Sequence, residues 1–258
     1  MTNTTAPKVD WDYTEHASHY DKRADYSHDA ITEVLAAMGC TAPAAVADIG
    51  AGTGKLTKEL LKHGLTVSSV EPNDAMREIG IRNTRGQSVS WSSATGEATG
   101  LLASSFYAAF FGSSFNVVDQ MNTLREVKRI LVPRGWFACM WNHRDLNDPV
   151  QRHIESIITS FIPAYSYGLR RTDPTDVINA SGYFSPVKSI ERSFDCAMLR
   201  SDIVAAWRSH ATLRRQAHDD AMFTRIIAQI SSYLADLPEE ITVPYATRIY
   251  FAQSTHLS

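Results

Sequence analysis

Asp48 sits two residues before the run Gly50-Ala51-Gly52-Thr53-Gly54, and Glu71 closes the next apolar stretch. A glycine series between a strand and a helix lets a ligand approach the backbone closely, and by itself it serves nucleotides, flavins and other cofactors alike. Here the flanking charges discriminate. A pyrophosphate at the helix N-terminus would be repelled by Asp48, whereas a ligand carrying an ammonium and a sulfonium would be attracted. Lys55 stands where a dinucleotide fingerprint usually has a small residue of its G-x-G-x-x-G series. Glu71 is placed to accept hydrogen bonds from both hydroxyls of a ribose, a bidentate role that suits a carboxylate.

The elements that must position these groups follow from the apolar periodicity. Ser27 opens a helix with Ile31, Val34, Leu35 and Met38 on one face, and Gly39 ends it. Ala45–Ile49 reads as a buried strand, the glycine run leads into a helix with Leu56, Leu60 and Leu61, and Thr66–Val70 is the next strand. Asn73 caps a helix through Met76 and Ile79. Strands are expected at Val89–Ser92 and Phe106–Phe111, then a helix with Met121, Leu124, Val127, Ile130 and Leu131, and a turn at Pro133-Arg134-Gly135 into a strand from Trp136 to Trp141. This alternation predicts an α/β fold with a doubly wound, mostly parallel sheet whose ligand lies beyond the carboxyl ends of the strands. Beyond residue 145 the pattern gives helices near 148–162, 173–181, 201–213 and 219–235, with strands near 186–195 and 241–252.

Val46-Ala47-Asp48-Ile49-Gly50-Ala51-Gly52-Thr53-Gly54 and Val70-Glu71-Pro72 resemble the first two motifs of the class I S-adenosylmethionine-dependent methyltransferases of the small-molecule, type 11-like kind. Thr95-Gly96-Glu97-Ala98-Thr99-Gly100-Leu101 is similar to the adenine-side segment, and Leu124-Arg125-Glu126 with Arg129 through Trp136 resembles the signature before strand five. The resemblance implies a seven-stranded Rossmann-like sheet with a helical cap. It divides the chain into a lid segment at 1–26, a donor-binding core at 27–145 and a substrate-shaping cap at 146–258 that also supplies the closing strands. It implies S-adenosylmethionine as cofactor, S-adenosylhomocysteine as product, and donor contacts from Tyr20, Arg23, Asp48, Gly50, Ala51, Gly52, Gly54, Glu71, Pro72, Met76, Thr95, Gly96, Glu97 and Gly112. Thr95 stands where relatives usually carry an acid, and Gly112-Ser113-Ser114-Phe115-Asn116 replaces a His-Trp pair after strand four.

The sulfonium is an activated electrophile, so the protein need only align a nucleophile and exclude water. On the acceptor side His143, expected on a loop just past strand five, is the candidate base, with Tyr13, Asn116, Tyr165 and Trp207 as candidate substrate contacts. Arg144 with Asp145 reads as a surface pair, and Arg170-Arg171 and Arg214-Arg215 as solvated basic pairs. With 25 Lys+Arg against 28 Asp+Glu and no basic run, nucleic acid is not an expected partner. No apolar stretch approaches a membrane span, and Cys40, Cys139 and Cys196 form neither a disulfide framework nor a metal-ligand pattern. The expectation is a cytoplasmic enzyme that methylates O, N or C of a small molecule in specialised metabolism. Methylation of protein or nucleic acid, and a donor-binding protein of another reaction type, are the alternatives; the oligomeric state is left open.

Overall fold

The computed structural model describes residues 17–255. Within them the strands are β1 Ala45–Ile49, β2 Thr66–Val70, β3 Val89–Ser92, β4 Phe106–Gly112, β5 Leu131–Arg144, β6 Lys188–Leu199 and β7 Glu240–Gln253. The helices are α1 Ala17–Tyr20, α2 His28–Met38, α3 Lys55–Lys62, α4 Asp74–Asn83, α5 Gln120–Ile130, α6 Pro149–Phe161, α7 Thr175–Ala180, α8 Arg200–Arg208, α9 Ala211–Gln216 and α10 Asp220–Ala235. The strands form one seven-stranded sheet in the order β3-β2-β1-β4-β5-β7-β6. Neighbours from β3 to β5 run parallel, while β7 lies antiparallel to both β5 and β6. This is the doubly wound sheet expected from the sequence, and its order reverses between β1 and β4.

Side-chain caps set the helix starts. Ser27, Asn73, Asp119, Asp148 and Asp219 each accept a backbone N–H of the first turn, and Gly39 ends α2 in the left-handed region. One apolar cluster, including Ile31, Val34, Leu60, Phe110 and Met140, packs α2 and α3 on one sheet face. A second, with Phe111, Phe115, Leu124, Val127 and Phe137, packs α5 and α7 on the other. The third belongs to the cap: Ile154, Ile158, Trp207, Phe223 and Ile230 close over the ends of β6 and β7 at Met198, Val243 and Tyr245. Separate cores in the sheet and in the cap leave a crevice between them. On the surface behind α3, Glu59 pairs with Lys62 at 2.8 Å and binds His28 of α2, whose ring stacks on His63.

Five expectations are corrected. Leu131, placed on the α5 stripe, is extended and pairs with Phe106 as the first residue of β5; the Pro133-Arg134-Gly135 turn is an irregularity inside that strand, with Arg134 at φ 61°. Met121 of the same stripe is exposed. The helix expected over 201–213 is two helices. Ser209 O accepts the Arg23 guanidinium, and Leu213 N–H turns to His210 Nδ1 at 3.2 Å instead of to the preceding turn, which starts α9 afresh. Finally, β5 does not end at Trp141 or Asn142. The long partner β7 carries pairing on to His143↔Ala246 and Arg144↔Tyr245, so both side chains are strand-borne.

A glycine makes one tight helix–sheet contact. A Cβ on Gly80 of α4 would lie 2.2 Å from the Trp91 indole of β3, whose N–H donates to Thr84 at 3.0 Å. Alanine ordinarily stabilises a helix interior by about 1 kcal/mol over glycine. Here overpacking, at about 1–3 kcal/mol, outweighs that gain. Gly80→Ala is therefore expected to lower Tm in thermal unfolding; an unchanged or raised Tm would show that Trp91 yields freely.

Candidate active site

The site lies where the sheet order reverses, the place at which loops after neighbouring strands diverge and leave room for a ligand. Gly50 has φ 68°, and a Cβ there would stand 2.5 Å from the Ser114 Cβ of the loop after β4. The two loops touch because Gly50 has no side chain, and Ser114 Oγ donates to Ile49 O at 2.6 Å. Gly50 N and Ala51 N donate to Val70 O at 2.8 and 3.1 Å, drawing the glycine loop over the end of β2. Gly52 sits under Met76, whose Cε would be 3.2 Å from an added Cβ, and Gly54 at φ 82° opens α3.

Two carboxylates converge on this loop. Asp48 is fully buried; its Oδ2 accepts from Thr57 of α3 at 2.6 Å, and Thr57 shares a 2.9 Å hydrogen bond with Ser69 of β2. The other oxygen, Oδ1, is buried without a hydrogen-bond partner. Burial first, then the nearby Glu71 charge, pushes the Asp48 carboxyl up to about 7 against the pull of Thr57. Glu71 accepts Gly52 N–H and Asn73 N–H, each at 2.9 Å, one on each oxygen, and each oxygen keeps a further acceptor position. Burial raises its pKa too, against those backbone bonds.

A cavity of about 910 Å³, its solvent mouth included, opens beside Asp48 and is lined by Tyr20, Arg23, Gly50, Ala51, Gly112 and His143 among the residues singled out from the sequence. The segment from α1 to α2 roofs it. Asn83 donates to Asp21 and to Thr53 O, Lys22 pairs with Asp202 at 3.3 Å, and Lys55 pairs with Asp25 at 2.8 Å. Asn142 donates to Asp25 O at 2.8 Å, Tyr26 shares a hydrogen bond with Ser113, and Ser27 N–H reaches Thr247. Arg23 stacks over Tyr20 at 4.3 Å and donates to Ser209 Oγ at 3.0 Å, which links the roof to the cap.

Other singled-out residues lie elsewhere. Exposed Pro72 follows Glu71 at the β2 end, and Thr95-Gly96-Glu97 forms a turn in which Glu97 accepts Asp119 N–H at 2.8 Å; none of these lines the cavity. Asn116 accepts the Trp141 indole N–H at 2.9 Å, tying the β4 loop to β5, and Tyr165 stacks edge-on with Tyr167 at 5.5 Å. Trp207 is buried beneath Arg144, whose guanidinium lies 4.4 Å from its ring. Tyr13 lies outside the described residues.

The sequence reading missed part of the cavity wall. Arg144 is not an exposed partner of Asp145; it is half-buried and lines the cavity with Asn142, Tyr167, Arg171, His210 and Tyr245. Arg171 also belongs to this wall, while Arg214 pairs with Asp220 at 2.8 Å away from it. The signal for the Asn142–Arg144 run was its place at the active edge; the reach of β7 was not visible beforehand.

Comparisons with known proteins follow the same geometry. Residues 47–139 match the family described as methyltransferase domain. An uncharacterized methyltransferase of Mycobacterium tuberculosis H37Rv is 36% identical over 123 residues, 48% of this chain and 48% of that protein. The chain thus aligns with about half the length of the mycobacterial relatives it matches. Another uncharacterized methyltransferase, from Oceanobacillus iheyensis, is 36% identical over 81 residues, 31% of this chain and 36% of that one. Among solved structures, the YcgJ protein of Bacillus subtilis superposes with a TM-score of 0.54 at 15% identity, over 89% of this chain and 100% of that one. Phosphoethanolamine N-methyltransferase 2 of Haemonchus contortus gives 0.54 at 12% identity, over 93% and 57%. These structural likenesses establish the fold. The sequence match to a methyltransferase domain runs from within β1 to within β5 of that fold.

The Asp48 environment has a pH signature. Its carboxyl titrates near 3.8 when unfolded and near 7 when folded, so the folded chain holds the extra proton between those values. Stability contributed through Asp48 therefore falls as pH rises from about 4 to about 7. Asp48→Asn removes that slope while keeping an acceptor for Thr57. The Tm of the variant relative to wild type should climb across this window and level off above it; a constant difference would contradict the burial-driven shift.

Proposed function

We propose that the protein transfers the methyl group of S-adenosylmethionine to an O, N or C nucleophile of a small molecule, releasing S-adenosylhomocysteine. The observation that carries this reading is the unpartnered Asp48 Oδ1 beside the glycine loop, with Glu71 across the loop at the end of β2. A buried carboxyl with an unpartnered oxygen, pushed up to about 7 by burial, gains its charge most readily beside a cationic donor and disfavours a pyrophosphate. The residues present therefore fit this donor: Asp48 attracts its positive end, Glu71 accepts from its ribose, and Met76 covers the loop at Gly52.

When bound, S-adenosylmethionine supplies a methyl group already activated by positive sulfur. The roof from Tyr20 to Tyr26 excludes water, and the walls of β4 and β5 orient the acceptor, so alignment and desolvation do most of the work. His143 lines the cavity from the end of β5 and, for a hydroxyl acceptor, takes the proton as the oxygen attacks. The roofed cavity with aromatic Tyr167 and Tyr245 favours a small acceptor, such as one of specialised metabolism, over a polymer. Among the described residues no helix is long and apolar enough to cross a membrane. The unpaired Cys40, Cys139 and Cys196, with thiol pKa values raised by burial, fit the reducing cytoplasm.

Calorimetry is expected to show binding of S-adenosylmethionine and S-adenosylhomocysteine and none of NAD at comparable concentration. Glu71→Ala should weaken both by roughly tenfold or more, since a hydrogen bond to a charged acceptor contributes about 1.5–3 kcal/mol. NAD binding of similar strength, or undiminished affinity in a folded Glu71→Ala protein, overturns the assignment. With a hydroxyl acceptor, His143→Ala should lower kcat by roughly 10²–10⁴ at unchanged cofactor affinity. Wild-type kcat would leave His143 a wall residue only.

A further inference from the structure

Opposite Asp48, the cavity is lined by two guanidiniums, and among the described residues neither pairs with a carboxylate. Arg144, at the end of β5, is sandwiched by aromatic rings, with Trp207 at 4.4 Å and Tyr245 at 5.9 Å. Arg171, from the 3-10 turn Gly168–Arg171, lies over Tyr167 at 4.4 Å and donates one N–H to the Arg144 carbonyl at 3.1 Å. Stacking covers the flat faces of a guanidinium, and with one hydrogen bond from Arg144 going to the neutral Tyr245 hydroxyl, its remaining in-plane N–H groups are left for an anionic acceptor.

Asp145 and Asp195 share an outer groove with both arginines, and among the described residues neither forms an ion pair with them. Glu155 accepts the Tyr167 hydroxyl, which steadies the ring beneath Arg171. On the outer side of the wall, Glu191 pairs with Arg248. The other cations of the cavity also have partners: Lys55 has Asp25, and Arg23 has Ser209. Among the described residues Asp48 is the one carboxylate lining the cavity, at its far end. Half-buried Arg144 has no carboxylate partner among the described residues, a cost that a bound anion offsets, and exposed Arg171 adds a second positive charge beside it.

We propose that Arg144 and Arg171 form an anion subsite for the acceptor, so that the substrate carries a carboxylate or phosphate group held in a guanidinium fork while its nucleophilic atom faces the donor. This rests on the methyl-transfer reading above. The subsite is bidentate and planar, so it selects oxyanions over neutral polar groups, and the aromatic floor of Trp207, Tyr167 and Tyr245 takes an apolar or aromatic body beside the charge.

The test is calorimetric and uses protein saturated with S-adenosylhomocysteine, titrated with a panel of small hydroxylated carboxylic acids, phosphate monoesters, and the neutral methyl esters and amides of the same acids. Anionic members are expected to bind at least tenfold tighter than their neutral counterparts. That preference should be lost in Arg171→Gln, which alters an exposed side chain, and in Arg144→Gln, while S-adenosylhomocysteine affinity stays within about twofold. Whether carboxylates or phosphates dominate identifies the group. No preference for the anions, a preference that survives both substitutions, or a large fall in S-adenosylhomocysteine affinity in the variants overturns the proposal, the last because the fork would then hold the donor's own carboxylate. Failure of wild-type protein to bind S-adenosylhomocysteine is a different result and tells against the methyl-transfer reading itself.

Discussion

The burial of Asp48 is the constraint on which the site depends. A carboxylate with no exposure at the end of β1 must be offset by hydrogen bonds or by a ligand, and the chain supplies only half of what is needed. Thr57 satisfies one oxygen and is itself held by Ser69, so α3 and β2 are fixed in relation to the carboxyl. The glycine loop between them then has one course available, across Val70 O and against Ser114. Glu71 binds that loop through Gly52 and raises the cost of charging Asp48 further. The empty acceptor position and the loop that frames it are two results of the same desolvation.

A second dependence runs through the roof. Arg23 and Lys22 reach the α8–α9 region, while Asp21 and Asp25 reach α4 and α3, so a short segment bridges the sheet and the cap. Because Ser209 O is taken by Arg23, the cap helix breaks there, and His210 is turned to line the cavity. The Arg23–Ser209 contact thus joins one of several anchors of the roof to the junction that carries His210.

Local sequence signals carried most of the core. The elements from Ser27 to Phe111 were legible because caps, glycines and apolar periodicity act within one or two turns. Asp48, Gly50 and Glu71 could be singled out as candidates because the first two flank or belong to one short glycine run and Glu71 closes the next apolar stretch. The acceptor wall was less legible, since it is made by long-range pairing. His143 and Arg144 extend β5 only because β7, about a hundred residues later, continues alongside, and the break at Ser209 depends on Arg23 far earlier in the chain. Arg144 looked like a surface charge beside Asp145 because nothing local reveals Trp207 beneath it.

That division has a physical origin. The donor-side residues sit on parallel strands whose ends are set by short βα connections, so their spacing along the chain translates directly into geometry. The acceptor side sits where the sheet turns antiparallel and the cap closes over it, so its residues come from β5, the Gly168–Arg171 turn, the α8–α9 junction and β7. Charge separates along the same line: Asp48 and Glu71 lie at the glycine-loop end, Arg144 and Arg171 at the cap end. On the proposed reading, such a gradient orients a ligand pair before any contact is tight, drawing a cationic donor to one end and leaving the other for a partner of opposite charge. Orientation by field costs no motion at the moment of reaction, and it leaves in-line alignment of the two reacting atoms as the task of the walls between.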